Sequence, residues 1–182
     1  MASDEQLRIW TAAGAPTASF KPRGEVHRDG DWHATVHLWL LNDSGELLFQ
    51  KRSDSAELYP GLWDVSAAGH VVDDESLATS LEREALEELG IDITANAAQW
   101  LFTLSTESHS GGLHERVFQH VYLMALDVAD HQFKPQLAEV AAVAWHPYLQ
   151  LARVLEDASG FVPRLEEYRR LLDYLQRRSG PA

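Results

Sequence analysis

Three glutamates near the middle of the chain, Glu84, Glu87 and Glu88, stand at positions i, i+3 and i+4. On a helix that spacing puts all three on one side. At about 100° per residue, Leu77 and Leu81 fall almost under Glu84 and Glu88. Ala78, Ala85 and Leu89 complete an apolar stripe beside them, so the carboxylates are expected at the edge of the buried face. Like charges at i,i+4 cost a helix roughly 0.2–0.5 kcal/mol per pair. Glu87 and Glu88 also stand near the C-terminal end, where the helix dipole disfavours anions. Arg83 is the sole Lys or Arg between Gly69 and Ile91. A bound hard cation would offset the repulsion, because clustered carboxylate oxygens suit Mg2+ or Mn2+.

The elements that must hold this cluster can be read in order. Asp73, Asp74 and Glu75 favour the positive end of the glutamate-bearing helix, and Gly90 closes it. Upstream, Leu7 to Trp10 and Ser19 to Lys21 read as short strands around a Gly14-Ala15-Pro16 turn, and Arg23 to Asp31 as a polar loop. His33 to Leu41 alternates, with His33, Thr35, His37 and Trp39 on one side and Ala34, Val36, Leu38 and Leu40 on the other. A turn at residues 42–45 returns the chain along Glu46 to Lys51 as a hairpin. Lys51 and Arg52 end that strand; near a metal-phosphate site they are candidate phosphate contacts. Ser53 to Trp63 has no clear period and leads into a short strand, Asp64 to Ala67. Downstream, Trp100 to Ser105, Val117 to Leu126 and Val140 to Trp145 read as strands. Glu107 to Glu115, with His109, Gly111, Gly112 and His114, reads as a mobile loop. A helix is expected from Pro147 to about Asp157. A last one opens at Pro163, with Leu165, Tyr168, Leu171, Leu172 and Leu175 on one face. Strands, helix, strands, helices make an α/β protein with a mixed sheet sandwiched by helices.

Composition narrows the function classes. At 182 residues one domain is the default. There is no cysteine, which removes disulfides, thiolate nucleophiles and cysteine metal ligands. No apolar run is long enough to span a membrane and the start does not read as a signal peptide, so the cytoplasm is the plain inference. A net charge of −13 argues against a nucleic-acid polymer as main partner. A small phosphate substrate remains open, because a bound divalent ion inverts the local sign.

Gly69, Glu75, Arg83-Glu84, Glu87-Glu88, Gly90 and Ile91 also have a known spacing. The pattern resembles the Nudix box in every fixed position, with Ala85 where the family usually has a bulkier aliphatic residue. At ordinary residue usage the match arises by chance on the order of once in 10^8 starts. The resemblance implies a Nudix-like α/β/α sandwich with the box as a loop-helix at the active site. It covers most of residues 1–182 as one domain: N-terminal strands in 1–30, a core in 31–146 and C-terminal helices in 147–182. Within the family the chain is similar to the isopentenyl-diphosphate-isomerase-like branch. That likeness rests on His27-Arg28, Trp32-His33, His37-Leu38-Trp39, Lys51-Arg52, Pro60 to Trp63, Ser66 to His70, Glu139-Val140 and Trp145. Three departures separate it from true isomerases of that type. Ala68 stands where they carry a catalytic cysteine, and Ala56-Glu57 where they place a lysine for the diphosphate. His114-Glu115-Arg116 stands where they carry two further carboxylates with one residue between.

The resemblance therefore implies a hydrolase relative that cleaves the diphosphate linkage of a small organic or nucleoside diphosphate derivative. Glu84, Glu87 and Glu88 would bind Mg2+ (or Mn2+), with an oxygen from the Gly69 carbonyl; the ion neutralises diphosphate charge and acidifies an attacking water. Glu139 is the candidate base, with Glu115 and Glu107 as alternatives. Arg83 is expected to pair with Glu75 and orient the helix. Lys51 and Arg52 would hold the distal phosphate, and Trp63 could stack on a nucleobase. The isomerase likeness makes His33 and His70 candidate metal ligands, against the plainer reading of ordinary hydrogen-bonded histidines. Two other functions stay open, an isomerase of isopentenyl diphosphate and a non-catalytic ligand-binding module. Ala68 weighs against the first and the intact glutamate set against the second. Oligomeric state is not readable.

Overall fold

The computed structural model describes residues 5–56, 58–110, 113–126 and 132–178. Glu57, Gly111 and Gly112, named above, lie outside the described residues. The elements form an α/β fold with a mixed sheet, the class expected from the sequence. Contacts gather into two compact units, one of Met1–Leu38, Ala68–Leu86 and Asp92–Leu123, the other of Trp39–Ala67, Glu87–Ile91 and Met124–Ala182.

In the first unit β1 (Gln6–Trp10) and β2 (Pro16–Pro22) pair antiparallel, Arg8 opposite Phe20, with Gly14 at φ 81° in the turn. The expected loop over Arg23 to Asp31 is instead a short helix, α1 (Arg23–Asp29). It starts after Pro22, buries Val26 completely and stops at Gly30, whose left-handed φ of 70° lets its N–H reach the Val26 carbonyl. Strand β3 (Trp32–Leu41) follows, buried on both faces through most of its length. That is why its alternation does not divide inside from outside. A short β6 (Ala67–His70) pairs with β3, and the Val71 N–H continues the pairing to the Ala34 carbonyl at 3.0 Å.

The described residues between Glu107 and Glu115 are strand, not the expected loop. Strands β7 (Gln99–Ser110) and β8 (Leu113–Ala125) form one long antiparallel hairpin, with Glu107 opposite Arg116 and His109 opposite His114. The arm carries no apolar alternation there: Glu107, Ser108 and His109 of β7 are exposed, while β8 turns polar side chains inward, Glu115 to 3.3 Å from His27 and Arg116 to the Gly30 carbonyl at 3.4 Å.

Helix α2 (Leu77–Leu89) belongs to the first unit as far as Leu86 and to the second from Glu87. Ser76 caps its start, its hydroxyl accepting the Thr79 N–H at 3.1 Å. Gly90, at φ 68°, closes its end as expected. Leu81, Ala85 and Leu89 are buried, but Ala78 is exposed, a correction to the expected stripe. Glu84 and Glu88 occupy the buried face itself, at 7% and 5% exposure, while Glu87 is exposed.

In the second unit β4 (Glu46–Arg52) follows a turn in which the Asn42 side chain accepts the N–H groups of Ser44 and Glu46. It pairs with β5 (Trp63–Asp64) and, along its whole length, with β9 (Val140–Pro147). Ser66 ties the strands together, accepting the Leu40 N–H at 2.9 Å and donating to the Leu48 carbonyl at 2.6 Å. Two helices follow, α3 (Gln150–Glu156) and α4 (Leu165–Arg178). The latter buries Tyr168, Leu171, Leu172 and Leu175 as expected, but Leu165 is 39% exposed. Two polar anchors fix α4. Buried Glu167 accepts the Trp39 indole N–H at 2.8 Å. Arg164 grips fully buried Asp64 with two bonds, 2.6 and 3.0 Å.

Candidate functional site

The Nudix-box residues of the first unit form one connected group. The Glu84 carboxylate lies so close to Gly69 that a β-carbon on residue 69 would overlap it. Only glycine leaves that space, which sets a carboxylate directly against the residue-69 backbone. Arg83 donates to both oxygens of Glu75 at 3.1 and 3.3 Å, to Glu84 Oε1 at 2.7 Å and to the His70 carbonyl at 2.8 Å. Glu75 in turn accepts from the Ser80 hydroxyl at 2.7 Å. Arg83 thus joins the loop before α2 to the helix and steadies Glu84, with the expected Glu75 pair present. In the second unit Glu88 Oε2 accepts from Gln50 Nε2 at 3.0 Å. Two carboxylates buried to this degree carry a large desolvation cost unless cationic or hydrogen-bonding groups compensate. Arg83 gives Glu84 such a partner, and Gln50 gives Glu88 one.

A second group in the first unit was only half legible. His33 and His70 come together, and His27 joins them: each offers a ring nitrogen, all within 4.8 Å of one another. The ring centroids are 5.2 to 5.4 Å apart. Glu115 closes on the same place, 3.3 Å from His27 Nδ1 and 3.9 Å from His33 Nε2. Burial pushes His27 and His33 down to about 4 and His70 well below its ordinary value, so all three are neutral imidazoles at pH 7. The Asp31 carbonyl faces His33 Nδ1 at 3.1 Å and can only accept, so Nδ1 carries the proton and Nε2 a lone pair. His27 Nε2 and His33 Nε2 are buried without a hydrogen-bond partner. Buried nitrogens of this kind, with a carboxylate beside them, fit a divalent transition ion with mixed N and O ligands better than they fit Mg2+. Sequence reasoning missed His27 because it assigned residues 23–31 to a loop. The signal was Pro22 before and Gly30 after a short polar stretch anchored by Val26.

The remaining candidates lie elsewhere. Lys51 and Arg52, at the end of β4, are half-buried. Arg52 donates to the Leu58 carbonyl at 2.9 Å and lies 3.6 Å from Asp64, so its guanidinium is already oriented. Trp63, opposite Lys51, is half-buried with its ring edge-on to His146 at 5.7 Å. The Glu139 side chain is exposed, and its carbonyl accepts the Ser53 N–H at 2.8 Å. Glu107 is bonded to His114 and Arg116 on the hairpin. Among the described residues no helix is long and apolar enough to cross a membrane.

A family model described as the NUDIX domain matches residues 31–165, and the chain belongs to the Nudix family. It is 35% identical to Nudix hydrolase 3 of Arabidopsis thaliana over 184 residues, covering 97% of this chain but only 24% of that protein. The chain therefore spans about a quarter of that relative's length. It is 34% identical to an uncharacterized Nudix hydrolase of Clostridium acetobutylicum, covering 80% of this chain and 75% of that protein. It is likewise 34% identical to the isopentenyl-diphosphate Delta-isomerase of Halorhodospira halophila, over 69% of this chain and 71% of that protein. Among solved structures it shares its fold with a Deinococcus radiodurans protein, with a TM-score of 0.65 at 23% identity over 91% of this chain and 98% of that one. The NUDIX domain of Shewanella oneidensis NrtR, solved with ADP ribose, has a TM-score of 0.57 at 23% identity over 81% of this chain and 88% of that one.

Proposed function

We propose that this chain is a divalent-metal-dependent Nudix pyrophosphohydrolase acting on the diphosphate linkage of a small organic or nucleoside diphosphate derivative. The observation that carries the reading is the pair of deeply buried carboxylates, Glu84 and Glu88, on one helix with Glu87 exposed beside them. Glu84, Glu87, Glu88 and the Gly69 carbonyl hold Mg2+ or Mn2+. A bound ion supplies charge neutralisation for the diphosphate and a more acidic attacking water. Arg83 fixes the carboxylate of Glu84, and Lys51 and Arg52 bind the distal phosphate. Glu139 takes the proton from the attacking water, its exposure leaving it free to reach one. Trp63 offers its ring to an aromatic leaving group. His33 and His70, with His27 and Glu115, hold a second ion. The 182 residues act as one domain, in the cytoplasm, on small molecules and not on nucleic-acid polymers. Incubation with a panel of organic diphosphates and Mg2+, scored for phosphate and monophosphate release, tests this. The reading requires cleavage of at least one, abolished by chelator; no release from any member with either Mg2+ or Mn2+ counts against it.

The His27–His33–His70–Glu115 group favours one second reading, an isomerase of isopentenyl diphosphate, because isomerases are among the relatives. Allylic isomerisation needs a proton donor and acceptor, and Ala68 can be neither. No conversion to dimethylallyl diphosphate is expected by NMR; turnover clearly above a no-enzyme control would reverse the preference.

A further inference from the structure

The β7–β8 hairpin carries a second histidine group that the hydrolase reading does not use. His109 and His114 face each other across the ladder, their rings stacked with centroids 3.9 Å apart and planes 25° from parallel. Glu107 precedes His109 by two residues on the same strand and so shares its face. The three side chains offer ligand atoms all within 4.8 Å of one another, with Glu107 and His109 exposed and His114 half-buried. We propose that Glu107, His109 and His114 form a binding site for a borderline divalent transition ion, with zinc as its representative.

The donor set decides the class of ion. Two imidazole nitrogens and one carboxylate oxygen suit zinc, nickel or copper and are a poor match for Mg2+ or Ca2+. The backbone supplies preorganisation, because the ladder fixes His109 and His114 opposite each other before any ion arrives. Zinc at about 2.0–2.1 Å from each nitrogen needs its ligand atoms roughly 3.3 Å apart, so the stacked rings must change their mutual angle. His114 is seated against Gly30, so the movement falls to His109 and Glu107, which are exposed and not locked by packing. Glu107 keeps one oxygen for the ion: Oε1 takes the bonds from His114 at 2.8 Å and from Arg116 at 2.9 Å, and Oε2 takes neither. On binding, the proton that His114 Nε2 holds toward Glu107 passes through solvent to Nδ1 of the same ring, so the ligand is the other neutral tautomer. Arg116 opposes the ion by its charge, but its side chain is 36% exposed and can turn to solvent. This group shares no residue with the buried His27–His33–His70 set.

Zinc titration of the full chain against a chromophoric chelator tests the site, comparing wild type with His109→Ala and Glu107→Gln. His109 is exposed, so its loss should leave circular dichroism and melting unchanged, and any zinc held by the buried set is common to all three proteins. The wild type should bind one more equivalent than His109→Ala, or bind that equivalent at least about tenfold more tightly; Glu107→Gln should weaken it too. In the wild type that same equivalent should shift the ring signals of His109 and His114 in histidine-selective NMR. Equal zinc counts and affinities in wild type and His109→Ala, or ring signals of His109 and His114 that do not respond, would overturn the proposal.

Discussion

Gly69 and Glu84 share one small space: the helix carboxylate fills the position a side chain on residue 69 would take. The backbone of Gly69 is not in the left-handed region, so alanine there is not strained by its own torsions. What it displaces is Glu84. Gly69→Ala is expected to lower diphosphate cleavage about a hundredfold, the scale of losing one group that stabilises developing charge. It should also raise the Mg2+ concentration needed for half-maximal rate. A folded Gly69→Ala protein with wild-type rate and Mg2+ dependence would show that Glu84 need not sit against this backbone.

Arg164 and Asp64 make a purely structural prediction in the second unit. Asp64 is fully buried, held by two bonds from Arg164 and by Arg52 at 3.6 Å. Arg164→Met removes the larger part of that compensation, and breaking a buried pair costs about 3–5 kcal/mol. Urea unfolding should show a loss of about 3 kcal/mol, since Arg52 remains. Adding Asp64→Asn should restore part of it. A loss below about 1 kcal/mol would mean that Asp64 does not depend on Arg164.

The sequence made some of this legible for plain reasons. The box helix was readable because Leu81, Ala85 and Leu89 repeat at helical spacing and Gly90 stops them. The hairpin of β3 and β4 was readable from its turn, in which Asn42 does what an asparagine in a turn does. Arg83 was readable as the partner of Glu75. Other features had no local signal. Ala78 lies on the expected stripe yet is exposed, because burial of the first helical turn depends on what the rest of the fold brings there. The Glu107–Glu115 arm looks like a loop because its described strands are held by each other and by polar contacts, Glu115 with His27 and Arg116 with Gly30, and not by an apolar face. His27 and Glu115 are 88 positions apart in sequence and 3.3 Å apart in space, a meeting set by topology alone.

Glu88 gives a prediction with two opposite halves. Its carboxylate is 5% exposed and accepts a bond from Gln50 that a glutamine oxygen could also accept. In chelator, Glu88→Gln should therefore melt no lower than the wild type, because it keeps the bond and removes a buried anion. In millimolar Mg2+ or Mn2+ the wild type should gain stability as RT ln(1 + [M]/Kd), about 2.7 kcal/mol at a hundred times Kd. The variant should gain much less. Thermal melts of both proteins in both buffers decide it: a variant clearly less stable in chelator would give Glu88 a structural role, and no metal effect on either protein would remove the metal site.

The central claim is that α2 presents its carboxylates to a catalytic metal. Glu87 tests it most directly, because it is the exposed member of the set and its substitution leaves the buried face of the helix alone. Glu87→Gln keeps the shape and removes one charge. With a diphosphate that the wild type cleaves, at saturating Mg2+, kcat for the folded variant should fall at least about a hundredfold. A folded Glu87→Gln protein that turns the substrate over at a near-normal rate would contradict the account.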